Sequence, residues 1–95
     1  MEPIQTNENR GEIIQFRSAD VEDLHLEYRL YESRQTADRR RCYAISAAVL
    51  SHGDREEVCV CDVTRTKRRA LSLFRLICDG LVTPCTLTDV LEDLL

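Results

Sequence analysis

The sequence predicts an α+β domain: a three-stranded antiparallel sheet followed by two helices packed on one of its faces, in the order βββαα. Three observations carry this prediction. Two segments, starting at Leu24 and at Tyr43, alternate apolar and polar residues with the period of two that a half-buried strand requires. The last third of the chain switches to apolar residues three and four apart, the spacing of a helical stripe, with its own start and stop residues. The connections between these segments are short, which favours antiparallel neighbours.

Residues 1–23 are mostly polar, and only Ile13, Ile14 and Phe16 offer an anchor. This segment is expected to be poorly ordered at its start, with Glu12 to Arg17 forming either a short edge strand or a small anchor onto the sheet. A single small domain is expected over residues 24–95. In the first strand Leu24, Leu26, Tyr28 and Leu30 lie on one side, and His25, Glu27, Arg29 and Tyr31 on the other. Glu32 to Arg41 carries no apolar residue larger than Ala37 and reads as a solvated connection. Tyr43, Ile45, Ala47 and Val49 alternate again, His52-Gly53-Asp54-Arg55 is a turn of hairpin length, and Glu57 to Val63 is a third strand rich in Val and Cys. Leu26, Tyr28, Ile45, Ala47, Val58 and Val60 are then expected to face the helices.

The first helix is expected from Thr64 to Asp79, with Ala70, Leu73, Phe74, Ile77 and Leu81 forming its stripe. Thr64 is suited to accept a first-turn N–H, and Gly80 to close the far end in the left-handed conformation. Pro84 forbids continuation. Thr86 and Asp89 resemble a capping box ahead of Leu87, Val90, Leu91 and Leu94, the face of a second helix. Lys67, Arg68 and Arg69 at the start of the first helix, and Glu92 and Asp93 at the end of the second, oppose the helix dipoles. In an antiparallel hairpin these offset one another, with Arg69 and Arg75 reaching Glu92 or Asp93.

The apolar fraction of 43%, the charged fraction of 32% and a mean hydropathy of -0.32 suit one soluble globular domain. No apolar run approaches the roughly 18 residues that span a bilayer, and no signal-peptide pattern opens the sequence, so a cytoplasmic location without a membrane partner is expected. Five cysteines cannot all pair within one chain, and in that compartment they are expected to be reduced thiols used as small packing residues. A formal charge of -4 argues against a dedicated nucleic-acid binder, despite the basic runs Arg39-Arg40-Arg41 and Lys67-Arg68-Arg69.

Cys59-x-Cys61 invites a metal or redox reading, with Cys42, Cys85, His25 or His52 as further ligands. Residues two apart on a strand sit roughly 6.5–7 Å apart, too far for neighbouring sulfurs of tetrahedral zinc. No metal site is expected. Nor does a nucleophile stand beside a base, and no Gly-rich phosphate loop is present, so no enzyme activity, catalytic residue or cofactor is expected.

Several residues are similar to a family of short uncharacterised proteins of clostridia and related Gram-positive bacteria, known as a domain of unknown function. Tyr43-Ala44-Ile45 resembles its strand, and Val60-Cys61-Asp62-Val63-Thr64 its V-x-D-I-S step into a helix. Pro84 to Leu95 resembles its terminal P-x-H-L-x-D-V-V-E-D-F-L motif, with Thr86 standing where that motif has His. The resemblance implies a small α+β domain without a known activity.

The expected function is that of a non-enzymatic interaction or regulatory module, with a protein partner or self-association. Its expected surface is the helix-free face of the sheet, where Ala44, Ala48, Leu50, Cys59 and Cys61 form a patch poor in charge. A monomer rarely leaves such a patch open. Either Ile13, Ile14 and Phe16 fold back over it, or the same face of a second copy covers it. The runner-up is a nucleic-acid or anion-binding accessory protein, with Arg65, Lys67 and Arg68 at the helix start as contacts. A thiol or zinc role comes third.

Overall fold

The computed structural model describes residues 11–35 and 40–95. Four strands, β1 (Glu12–Val21), β2 (Leu24–Gln35), β3 (Arg40–Ser51) and β4 (Asp54–Thr64), form one antiparallel sheet in the order β1-β2-β3-β4, followed by α1 (Lys67–Asp79) and α2 (Pro84–Leu94). The α+β class holds, and the sheet has four strands where the sequence predicts three. The added strand is β1, ten residues long. Its alternation is hard to read because it lies at the sheet edge with most side chains wet, and because an irregularity between Ile13 and Gln15 breaks the period. Residues 1–10 lie outside the described residues.

The strands are also longer than predicted. Glu32 to Gln35 continues β2, and Arg40 and Arg41 begin β3, so most of the expected solvated connection is ladder. Residues 36–39 lie outside the described residues. Glu32 is drawn into the sheet by Tyr43, whose buried hydroxyl donates to Glu32 Oε2 at 2.7 Å. The β3–β4 connection is the two-residue turn His52-Gly53, with φ of 51° and 84°. Positive φ at both positions matches the twist of paired strands, and Gly53 adopts it without steric cost.

Both helices pack on one face. Leu26, Tyr28, Leu30, Tyr43, Ile45, Ala47 and Val63 of the sheet meet Ala70, Leu73, Phe74, Ile77 and Cys78 of α1 and Leu87 and Leu91 of α2 in one buried cluster, with Val58 and Val60 partly buried against it. The Tyr28 hydroxyl donates to the carbonyl of Val82 at 2.9 Å, which ties the sheet to the corner between the helices. Burial pushes the Tyr28 phenol up to about 12 and the Cys78 thiol up to about 11.

The helix boundaries differ from the predicted ones in three places. The first helix starts at Lys67 with Thr66 as N-cap, because β4 runs on to Thr64; Asp62, at φ 56°, kinks the strand so that Val63 returns to the core. Thr64 instead accepts the Thr66 N–H at 3.4 Å. At the far end Gly80 has φ -83°, and Leu81 takes the left-handed conformation at φ 51°. The N–H groups of Leu81 and Val82 bond the carbonyls of Cys78 and Ile77, the pattern of a Schellman cap one residue later than predicted. Leu81 thus leaves the helical stripe and is exposed. The second helix begins at Pro84, whose missing N–H costs nothing in a first turn, with Thr83 rather than Thr86 as N-cap.

Candidate functional site

The face opposite the helices is ordered by register into rows that run across the strands. Asp20, His25, Leu50 and Arg55 form one row; Ser18, Glu27, Ala48 and Glu57 the next; Phe16, Arg29, Ser46 and Cys59 the third; and Ile13, Tyr31 and Ala44 the fourth, with Cys61 alongside at the β4 kink. Small residues of β3 lie at the bottom of this surface, and longer side chains of β2 and β4 rise on both sides. Ala44, Ser46 and Ala48 are buried although no helix covers them.

A network of charges spans these rows. His25 sits between two carboxylates, Nδ1 at 2.6 Å from Asp20 of β1 and Nε2 at 3.2 Å from Glu27. A neutral imidazole donates from one nitrogen only, so both bonds are satisfied by the imidazolium. The hydrogen bond to Asp20 raises the His25 pKa above its ordinary value, partial desolvation opposes this, and Glu27 adds to the rise. Glu27 also accepts from Arg29 Nη2 at 3.1 Å and lies 4.0 Å from Arg55 of β4, a pair that reaches across β3. Burial alone would push the Glu27 carboxyl up; Arg29 and His25 outweigh it and hold it below its ordinary value. Arg55 further donates to Glu57 at 3.2 Å.

Beside this network lies apolar surface. The Arg29 guanidinium stacks over the Phe16 ring, 4.9 Å from its centroid, while Phe16 and Ile13 each remain 49% exposed. Arg29 Nη1 and Ser46 Oγ are buried without a hydrogen-bond partner among the described residues.

Of the predicted patch, Ala44 and Ala48 are buried, Leu50 and Cys59 are half-buried, and Cys61 is exposed. The patch is therefore a floor of small residues flanked by the β2 and β4 side chains, not one continuous apolar surface. Nor do Ile13, Ile14 and Phe16 fold back over it. They belong to β1, hydrogen-bonded beside β2, with Ile13 and Phe16 at the rim of the face and Ile14 turned to the core. Residues missed by the sequence reading are Phe16, Arg29, Glu27 and Ser46 as one group. Alternation placed Arg29 and Glu27 on this face, and only the register of β1 brings Phe16 beside them.

Arg65, Lys67 and Arg68 are exposed at the start of α1, whose first turn holds no acidic residue. The pairing of Tyr43 with Thr64 brings them to the end of the sheet that also carries Arg41, itself 3.7 Å from Glu32. Arg69 does not reach Glu92 or Asp93; its Nη2 donates to the carbonyl of Leu94 at 2.9 Å, which places a cation at the C-terminus of α2. Arg75 pairs with Asp79 at 3.8 Å, one turn along α1. Among the described residues no group of three or more His, Cys, Asp and Glu side chains is placed to hold a metal ion, and no helix is long and apolar enough to cross a membrane.

A model of a family of unknown function (DUF6514) matches residues 10–95. No curated protein and no solved structure matches the chain.

Proposed function

The chain belongs to this family of unknown function, and we propose that it is a non-enzymatic interaction or regulatory module of the cytoplasm that works through the helix-free face of its sheet. One observation carries this reading. Half-exposed Phe16 and Ile13 stand at the rim of this face with the Arg29 guanidinium stacked on the Phe16 ring, so apolar surface and a cation lie side by side. Aromatic and Arg side chains in this setting are the residue types that dominate binding energy at protein interfaces.

The second reading, binding of nucleic acid or another anion by Arg65, Lys67 and Arg68, is favoured by the acid-free first turn of α1 and by the nearby Arg41. The net charge of -4 and the exposed Glu92 and Asp93 at the adjoining end of α2 weigh against it. Affinity capture separates the two. Partners recovered by the wild-type chain should be lost with Phe16→Asp and Arg29→Ala, and retained when Arg65, Lys67 and Arg68 are all changed to Ala. The reverse pattern transfers the function to the helix start. Binding there should also weaken steeply with salt, which an apolar contact does not.

A further inference from the structure

We propose that His25 is a proton-operated switch of the helix-free face: with its proton it ties Asp20 of β1 to Glu27 of β2, and without it Glu27 is released toward Arg55 of β4. What the switch regulates rests on the reading of that face as the interaction surface; the switch itself stands on the geometry of its groups.

The register sets His25 opposite Asp20, and Glu27 follows two residues on along the same side of β2. Nδ1 lies 2.6 Å from Asp20 Oδ1 and Nε2 lies 3.2 Å from Glu27 Oε2. Carboxylates only accept, so each contact needs an N–H, and only the imidazolium has two. Loss of one proton must therefore break one contact. The shorter bond to Asp20 is the stronger and keeps its hydrogen, which leaves Nε2 bare with its lone pair turned to the Glu27 carboxylate. That contact changes from attraction to repulsion.

Glu27 has another cation in reach. Its Oε1 already accepts from Arg29 Nη2 at 3.1 Å and lies 4.0 Å from Arg55 Nη2, beyond hydrogen-bond length. The Arg55 side chain is 43% exposed and bonded to Glu57 through Nη1 at 3.2 Å, so Nη2 can close on Glu27 without giving up that bond. From the neighbouring strands, β1 presents Asp20 and Ser18 to these two rows, β3 the uncharged Leu50 and Ala48, and β4 Arg55 and Glu57. Glu22 and Asp23 lie in the turn between β1 and β2, outside the rows, and both helices lie on the other face.

The proton also sets the charge of the face. With it, the cations His25, Arg29 and Arg55 balance the carboxylates of Asp20, Glu27 and Glu57; without it, one negative charge is left over. A balanced cluster is less costly to take out of water than one with an uncompensated carboxylate, so a partner is held more tightly on the acid side of the transition. The hydrogen bond to Asp20 raises the His25 pKa above its ordinary value of 6.5, against partial desolvation, so the transition lies above that value. Glu27, held below its ordinary value, stays a carboxylate through it.

The test is an NMR titration of the full chain between about pH 5 and about pH 9, following the His25 ring nitrogens, the Glu27 carboxyl carbon and the Arg55 guanidinium. Both ring nitrogens should carry protons at the acid end and Nδ1 alone at the alkaline end, and the Glu27 and Arg55 signals should shift with the same midpoint as the ring. His25→Asn should abolish those two shifts, and the wild-type titration decides the matter even if that variant fails to fold. Glu27 and Arg55 signals that stay flat while His25 titrates, shifts that persist in His25→Asn, or a neutral ring with its proton on Nε2 overturn the switch. If affinity capture shows that Phe16 and Arg29 hold no partner, the functional reading of the face fails, and a titration of the expected form still upholds the switch.

Discussion

Phe74→Ala is the sharpest probe of how the helices are seated. Phe74 is 3% exposed on the inner side of α1, in the same cluster as Tyr28, Ile45 and Leu87. Removing its ring leaves a cavity bounded by both helices and the sheet, and that setting costs about 3–5 kcal/mol because the rigid strands beneath cannot collapse to fill it. A domain of this length is held by roughly 5–14 kcal/mol, so the change removes a large part of its stability. At about 4–8 °C per kcal/mol the midpoint should fall by at least about 12 °C. Leu76 on the same helix is 54% exposed and serves as the control, since Leu76→Ala should stay within about 0.5 kcal/mol of wild type. Thermal and urea unfolding followed by far-UV circular dichroism, with an unchanged denaturant slope, reads both values. Equal losses in the two variants, or a Phe74→Ala midpoint within about 2 °C of wild type, would refute the assignment of the buried face.

Further expectations concern the C-terminus, the imidazole and the thiols. Deleting residues 90–95 removes buried Leu91 and the Arg69–Leu94 bond and should cost at least about 2–5 kcal/mol in urea unfolding; an unchanged midpoint would show that α2 does not hold the core. The folded-state pKa of His25 is raised, so its contribution to stability is complete below its unfolded value near 6.5 and is lost as pH rises through the folded value. An NMR titration should place His25 above 6.5, with Asp20→Asn bringing it down, and a midpoint at or below 6.5 in the wild type would contradict the two-carboxylate geometry. Toward a thiol reagent at pH 8, Cys61 and Cys85 should react first and Cys42 and Cys59 more slowly. Cys78, buried and pushed up to about 11, should react only on unfolding, and early labelling of Cys78 would count against its placement.

The sequence by itself determined the elements whose periodicity survives in isolation. The alternation of Leu24 to Tyr31 and of Tyr43 to Leu50 sorted both faces of the central strands correctly, and the stripe Ala70, Leu73, Phe74, Ile77 identified the inner face of α1, because burial on one side imposes a regular spacing. Only the tertiary structure decided what edges and ends do. β1 is a strand because β2 offers it a ladder, even though its own residues are mostly exposed and carry a weak pattern. Leu81 rather than Gly80 takes the left-handed turn because the chain must enter α2 at Pro84, and local propensity yields to that closure. From the Ala and Cys residues of β3 and β4 the helix-free face reads as an apolar patch that something must cover. Its character comes as much from Glu27, Arg29, Arg55 and Phe16, brought together from β1, β2 and β4 by pairing register. Composition names the residues on a surface; which of them stand over the others depends on neighbours distant in sequence, and no local pattern encodes that.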